Sequence, residues 1–157
     1  NKDGSWHYGN APNQRWIDNF HTGFNLVALK EYIDFSESKY FCNALEKGFK
    51  YYKKNFFLKD GIPKYYHNRI YPIDIHGIAQ SIATFVKLKD LNEGNINQAL
   101  KIAQWGIDNM QDKRGFFYYQ KYKYFTNKIP YIRWSQAWMA YALSTLIQAL
   151  KNEKRKK

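Results

Sequence analysis

Cysteine is almost missing from this 157-residue chain, with Cys42 as its single representative. One cysteine cannot form a disulfide within the chain, and thiolates cannot cluster around a metal ion. No stretch approaches the roughly eighteen consecutive apolar residues of a membrane-spanning helix. Neither an HExxH motif nor a Cys/His set typical of zinc sites is present. The sequence therefore predicts no membrane span, no metal site and no other cofactor.

The first residues, "NKDGSWHYG", contain neither a methionine nor the apolar core of a secretory leader. We therefore expect the sequence to be cut from a longer chain at a loop. The lone cysteine fits a reduced compartment, and we expect a cytoplasmic protein.

Acidic residues are few, since 13 Asp and Glu stand against 25 Lys and Arg, for a formal net charge of +12. Most of the excess is Lys, spread along the chain among Asn, Ile, Tyr and Phe, as in proteins from AT-rich genomes. We do not expect nucleic acid as the partner. Two interpretations stay open: an ordinary solvated surface, or a patch for a polyanion such as a sulfated or uronic-acid polysaccharide. Only residues 151–157, "KNEKRKK", form a dense cluster, and we expect a solvated, basic tail there.

Aromatic residues are abundant, with 14 Tyr, 11 Phe and 5 Trp. Rings of this kind fill protein cores, and they also form sugar-binding clefts, because the face of a pyranose stacks on a flat ring. With 45% hydrophobic residues, the chain is long enough for one domain with a core of its own. We expect that domain to occupy residues 1–150.

Three similar loops divide the chain into repeats. Each has a charged residue, a glycine and an aromatic cluster, and the glycines Gly4, Gly61 and Gly115 are spaced by about 55 residues. Apolar segments of helical period follow each loop. They predict a first helix at 16–33, with Phe20, Phe24, Val27 and Ala28 on one face, and a second helix capped by Ser36 or Ser38. A third helix is predicted to start near Asp74, and two more at 95–110 and 134–150.

These elements predict an all-α fold of helical hairpins, forming part of an (α/α)6 toroid. Residues 115–132, "GFFYYQKYKYFTNKIPYI", are aromatic and β-prone, so we expect a short irregular β-like segment over the mouth of the ring. The chain supplies just under three hairpins, which fits the C-terminal half of such a ring. Either the missing N-terminal half of the same chain or a second copy would then cover its apolar edges.

An acid–imidazole pair occurs twice, as Asp18 with His21 and as Asp74 with His76, each at a predicted helix start. A carboxylate there caps free N–H groups without any substrate, and a histidine can be a packing residue. The other interpretation is catalytic. Two carboxyl groups across a sugar suit acid/base chemistry, and an imidazole suits proton abstraction beside a carbonyl.

The segments "DGSWHYG", "RWIDNFHTGFNL", "GIPKYY", "YPIDIHGIAQSI" and "NKIPYIRWSQAWMAYAL" resemble uncharacterised bacterial and archaeal proteins found with polysaccharide-synthesis genes. Those proteins are similar to the six-hairpin glycosidase superfamily, which includes N-acylglucosamine 2-epimerases and unsaturated glucuronyl hydrolases. The epimerases use two inner-helix histidines as acid and base, and the hydrolases use inner-helix aspartates. One departure is Trp138, which stands where the epimerases place an acidic side chain.

The resemblance implies an active cleft where the inner helices begin, with aromatic loops as its walls. It makes Asp18, His21, Asp74 and His76 the catalytic candidates. The substrate-binding candidates are Trp6, Tyr8, Tyr65, Tyr66, Arg133, Trp134, Gln136 and Trp138.

The expected function is that of a carbohydrate-active protein: a glycoside hydrolase, a lyase or an epimerase-like enzyme acting on a bacterial or archaeal polysaccharide or its precursor. The alternative is a non-catalytic glycan-binding or scaffold protein in polysaccharide biosynthesis.

Overall fold

A computed structural model describes residues 1–155. Its helices are α1 (Asn19–Ser36), α2 (Cys42–Asn55), α3 (Ile75–Lys87), α4 (Asn95–Met110) and α5 (Trp138–Lys154), and its strands are β1 (Ile73–Asp74), β2 (Gln120–Lys121) and β3 (Thr126–Asn127). A π-helical turn at Ile132–Ala137 leads into α5, and short 3-10 turns occur at Pro12–Gln14 and Lys89–Leu91. The all-α prediction, with helical hairpins of a toroid, is confirmed.

Helix α3 is the centre of the domain, because every residue from Ile75 to Val86 is buried. Helices α1 and α5 flank it, α2 packs behind α1, and α4 packs behind α3 and α5. Gly106 of α4 allows a close approach to α3, because a Cβ there would lie 3.1 Å from Ile78. The apolar side chains between these layers form one continuous core.

A buried polar cluster fixes the start of α1 on its neighbours. The Tyr52 hydroxyl of α2 donates to Asn19 Oδ1 at 2.9 Å, and the Ser81 hydroxyl of α3 lies 3.0 Å from the same oxygen. The Asn19 side-chain amide in turn donates to the carbonyl of Lys64, and its backbone N–H donates to the carbonyl of Tyr65. The loop at 64–65 is thereby held over the beginning of α1.

The predicted β-like segment is confirmed, because β2 and β3 pair antiparallel within residues 115–132. The structure adds a third strand: β1, just before α3, pairs antiparallel with β2, with Asp74 opposite Gln120. The hairpin is therefore joined to the start of the central helix.

Three local predictions need correction. Helix α1 begins at Asn19 instead of residue 16, because Asp18 caps it. The predicted apolar face of α1 is also wrong at Phe24, which is 52% exposed. The buried residues of this helix are instead Asn19, Thr22, Gly23 and Leu26. Helix α2 is preceded by Phe41 without a side-chain cap, since the Ser36 hydroxyl donates back to the carbonyl of Tyr32 and the Ser38 hydroxyl accepts from Tyr40.

The last helix also differs from its prediction at both ends. Residues 132–137 form the π-helical turn, so α5 starts at Trp138, and it continues to Lys154. Part of the basic cluster at 151–157 is therefore helical, while Lys156 and Lys157 lie outside the described residues.

Candidate active site

The starts of α1, α3 and α5 meet at one end of the domain. The Phe20 ring of α1 lies 3.7 Å from the His76 ring of α3 and 5.2 Å from the Trp138 ring of α5, centroid to centroid. The His76 and Trp138 centroids are 4.8 Å apart. We call this end of the domain, with the loops at 4–17, 61–73 and 113–137 that precede the three helices, the rim.

Asp18 and Asp74 are the N-caps of α1 and α3. Asp18 accepts from the backbone N–H of His21 at 2.8 Å, and Asp74 accepts from that of His76 at 2.8 Å. This satisfies helix-terminal N–H groups that have no partner within the helix. Burial raises the pKa of Tyr65, and the charges of both aspartates raise it further, so this tyrosine lies within electrostatic reach of both. The structure thus brings the two predicted carboxylates to one rim.

Asp18 also binds the imidazole of its own pair. His21 Nδ1 lies 3.0 Å from Oδ1 and 2.9 Å from Oδ2 of the carboxylate, and the indole N–H of Trp16 donates to Oδ2 at 3.0 Å. The Asp18 side chain is 1% exposed, whereas that of His21 is 43% exposed. Because a carboxylate accepts hydrogen bonds, Nδ1 is the donor in this contact, and in the neutral imidazole the lone pair then lies on Nε2.

Asp74 has a different second partner. Its Oδ2 accepts from the side-chain amide of Gln120 at 2.6 Å, and the Tyr122 hydroxyl donates to the other end of that amide at 2.7 Å. Burial raises the pKa of Asp74 to about 6, against hydrogen bonds from Gln120 and the amide N–H groups of His76 and Gly77 that lower it. A carboxyl with such a pKa exchanges protons close to neutral pH.

The His76 ring makes no hydrogen bond to Asp74 and is enclosed by aromatic rings. It is 5% exposed, and the Trp134 centroid lies 5.1 Å away, in addition to the Phe20 and Trp138 contacts. Its Nε2 is buried without a hydrogen-bond partner among residues 1–155. Burial lowers the pKa of His76 to about 4, and the nearby His21 adds to this effect, so the imidazole is neutral above that pH.

A row of rings crosses the rim. Tyr8 stacks on Trp16 with centroids 4.4 Å apart and meets the His21 ring edge-on at 4.6 Å. The Phe20 ring then separates His21, at 5.2 Å, from His76. Tyr8 and Trp16 are 47% and 39% exposed, so the outer end of the row faces solvent.

The remaining predicted binding residues fall into two groups. Tyr65 and Tyr66 lie at the rim with centroids 4.8 Å apart, and Arg133 stacks over Trp134 with its guanidinium carbon 4.7 Å from the ring centroid. Gln136 makes two hydrogen bonds to the backbone of Phe117, at 2.9 and 2.7 Å, so its amide holds the loop against the π-helical turn.

Trp6 does not join the rings of the rim. Its indole lies against Gly48 of α2, whose Cβ would also approach Leu26 of α1, so Trp6 fills the seam behind α1. The glycine makes room for the indole: an added Cβ at residue 48 would come within 2.1 Å of the ring.

Three further residues complete the site and are not among those predicted from sequence, namely Trp16, Gln120 and Tyr122. The apolar pattern predicts Trp16 as the first residue of a helix, although an indole two residues before an N-cap is well placed to reach its carboxylate. No local signal links Gln120 to Asp74, since their contact follows from the pairing of β1 with β2.

Within residues 1–155 no three His, Cys, Asp or Glu side chains gather as a metal would require. In the same part of the chain, no helix is long and apolar enough to cross a bilayer.

Comparison with known proteins gives the fold. The structure of cellobiose 2-epimerase from Bacillus thermoamylovorans B4167 matches 98% of this chain with a TM-score of 0.72 at 8% sequence identity. The chain spans 46% of that epimerase. No protein-family profile and no curated protein sequence matches this chain. The fold is therefore that of an α/α-toroid protein.

Proposed function

We propose that this protein is a carbohydrate-active enzyme that transfers a proton at a saccharide bound on the rim. The observation that carries the proposal is the contact between the buried Asp18 carboxylate and Nδ1 of the half-exposed His21, at 2.9 Å. Held this way, the imidazole presents its basic Nε2 outwards, among rings on which a pyranose can stack.

The other polar groups of the rim take separate roles. Asp18 is a positioning residue, because both of its oxygens are occupied by His21 and Trp16. Asp74, with a pKa near 6, is the proton donor. His76 is neutral and covered by Phe20, Trp134 and Trp138, so we place it beneath the saccharide instead of at the reacting atoms.

These roles favour proton abstraction beside a carbonyl, the first step of both epimerisation and elimination. Glycoside hydrolysis commonly needs two carboxyl groups facing one bond. Here both carboxyl groups already accept hydrogen bonds within the domain, so the rim does not present two free carboxyl groups to one bond.

The toroid fold shared with cellobiose 2-epimerase supports a saccharide ligand, and so does the row of rings. We propose an oligo- or polysaccharide, or its precursor, as the substrate, in line with the resemblance to proteins of polysaccharide-synthesis gene groups. A second helical half, from the same chain or from a second copy, would complete the cleft.

One observation favours the alternative, a non-catalytic glycan-binding or scaffold protein. Several polar groups of the rim are already bonded within the domain, including both Asp18 oxygens and both ends of the Gln136 amide. Many rings with few free polar groups are also what a binding module needs.

Hydrogen exchange separates the two functions. The full-length protein is incubated with a panel of reducing oligosaccharides in deuterated water, and deuterium incorporation at carbon is followed by NMR. We expect His21→Gln to slow exchange about 10²- to 10⁴-fold while saccharide binding persists. His7→Gln, which removes another exposed imidazole, is the matched control. Binding without exchange by the unaltered protein would favour the binding module, and undiminished exchange by His21→Gln would refute the role of His21.

A further inference from the structure

The parts of the loops that lead directly into the helix starts are poor in acidic residues. Residues 4–17, 61–73 and 113–137 include neither Asp nor Glu, whereas Asp3, Asp60 and Asp112 lie one residue before these stretches. After Asp18 the next acidic residue is Glu31, about 18 Å along α1 from its start, and after Asp74 it is Asp90, beyond the end of α3. The same loops carry the basic residues Arg15, Lys64, Arg69, Lys121, Lys128 and Arg133, among others.

Two of these cations sit on rings of the rim. The guanidinium carbon of Arg69 lies 4.1 Å from the centroid of Tyr66, which forms a β-bridge with Asp18. On the other flank, Arg133 lies over Trp134, which in turn contacts His76. One arginine therefore stands beside each acid–imidazole pair.

Neither arginine is neutralised within the described residues. No carboxylate among residues 1–155 lies within ion-pair distance of Arg69 or Arg133, whereas Arg114 pairs with Asp112 at 2.8 Å. A guanidinium stacked on a ring is already ordered, and its donors remain free for a bidentate contact. Carboxylate, sulfate and phosphate groups match that geometry.

We propose that the rim selects an anionic saccharide, whose acidic group is held by Arg69 or Arg133 while its rings stack on the neighbouring aromatics. The inference rests on the proposed saccharide site and names its substrate class. A uronate carboxylate and a sulfate ester present the same chemistry to an arginine, so both are sources of the charge.

A saccharide fits this site better than a nucleic acid does. Asp18 and Asp74 cap the helix starts at the rim, both within electrostatic reach of Tyr65, and a phosphodiester chain crossing the rim would meet their negative charge. An acidic sugar places its carboxylate or sulfate at one edge and its uncharged ring over these aspartates.

Binding of matched ligands tests the inference on the full-length protein. Calorimetry compares oligosaccharides of galacturonate, mannuronate and unsulfated chondroitin with their carboxyl-reduced, uncharged forms, and chondroitin sulfate with unsulfated chondroitin. At least one acidic form should bind about tenfold or more tightly than its uncharged counterpart, and its affinity should fall with salt. The chondroitin pair then tells whether sulfate adds to the carboxylate.

Substitutions locate the contact. We expect Arg69→Gln with Arg133→Gln to reduce affinity for the acidic ligand about tenfold or more, and the corresponding lysine variants to restore part of it. Arg114→Gln, in which an exposed and already paired arginine is lost, should leave affinity unchanged.

The outcomes separate the inference from the proposed function. Equal binding of acidic and uncharged forms overturns the anionic selectivity and leaves the saccharide site standing. Absence of binding to every saccharide overturns both, as does binding to duplex DNA alone. Equal losses in the Arg114→Gln control would overturn the assignment to Arg69 and Arg133.

Discussion

The two acid–imidazole pairs look alike in sequence and differ in the structure. Asp18 binds both the backbone and the ring of His21, and that ring is 43% exposed. Asp74 binds the backbone of His76 alone and gives its other oxygen to Gln120. The ring of His76 turns inwards and is 5% exposed. The imidazole of His21 is therefore half exposed to solvent, and that of His76 is packed among aromatic rings.

The two pairs differ because the histidine lies one residue further from its cap in the first pair than in the second. His21 is the third residue of α1 after its cap, and His76 is the second residue of α3 after its cap. Both positions allow the cap to accept a backbone N–H. Helical side chains tilt towards the N-terminus, and consecutive positions differ by about 100° around the axis, so only the third position returns its ring to the capping carboxylate here.

The largest effect should come from the packed imidazole. The pKa of His76 is lowered to about 4 in the folded protein from its ordinary 6.5. The stability supplied by the neutral ring is therefore complete above pH 6.5 and is lost as pH falls towards 4, by up to about 3 kcal/mol. His76→Gln has no imidazole to protonate, so it does not lose this stability. As pH falls from about 7 to 4, its free energy of unfolding in urea should therefore rise relative to that of the unaltered protein. A constant difference across that range would contradict the buried, neutral ring.

The carboxyl of the same pair should give the opposite slope. The pKa of Asp74 rises from 3.8 to about 6 on folding. Its contribution is complete below pH 3.8 and is lost as pH rises through 6, by up to about 3 kcal/mol. Asp74→Asn keeps an N-cap residue, so its free energy of unfolding should improve relative to the unaltered protein as pH rises from about 4 to 7. The reverse trend would mean that Asp74 ionises readily in the folded state.

Removing the carboxylate of the other pair should cost about 2 kcal/mol at neutral pH. Asp18→Ala loses the cap of α1 and leaves the Trp16 indole and the His21 ring without their acceptor. Asp34→Ala is the control, because Asp34 forms an exposed pair with Lys30 on the same helix and should change stability little. Equal losses in the two variants would show that the hydrogen bonds of Asp18 contribute no more than an exposed ion pair.

The smallest effect isolates a single hydrogen bond. Trp16→Phe keeps a ring to stack on Tyr8 but removes the indole N–H that binds Asp18, and should cost about 1 kcal/mol. Trp134→Phe offers a matched control, since this 42% exposed indole makes no hydrogen bond within residues 1–155. If thermal unfolding shows the two variants to be equal, the Trp16 contact contributes nothing to the site.

The start of α3 at Asp74 follows from sequence because N-capping is a local interaction, whereas the apolar pattern predicts α1 from residue 16 and the structure begins it after Asp18. Local patterns also predict the hairpin at β2 and β3. In contrast, the buried side of α1 was mispredicted. Phe24 lines an open groove that it shares with Val27 of α1 and Tyr141 of α5, so this apolar residue of α1 faces the groove instead of the core.

Contacts between segments distant in the chain cannot be predicted from local sequence patterns. Gln120 reaches Asp74 through strand pairing over 46 residues, and this contact changes what the carboxyl can do. The π-helical turn that positions Trp134 is another example, since a regular helix was expected from residue 134. Such turns are commonly found at functional sites.

The most direct test of the two different imidazoles is a long-range ¹H–¹⁵N spectrum of the histidine rings in the full-length protein, with and without a bound acidic oligosaccharide. We expect His21 to carry its proton on Nδ1 and its Nε2 signal to move when the saccharide is added. We also expect His76 to stay neutral down to about pH 4. A His21 ring protonated on Nε2, or one that the saccharide leaves unchanged, would contradict the proposal that Asp18 and His21 face the saccharide.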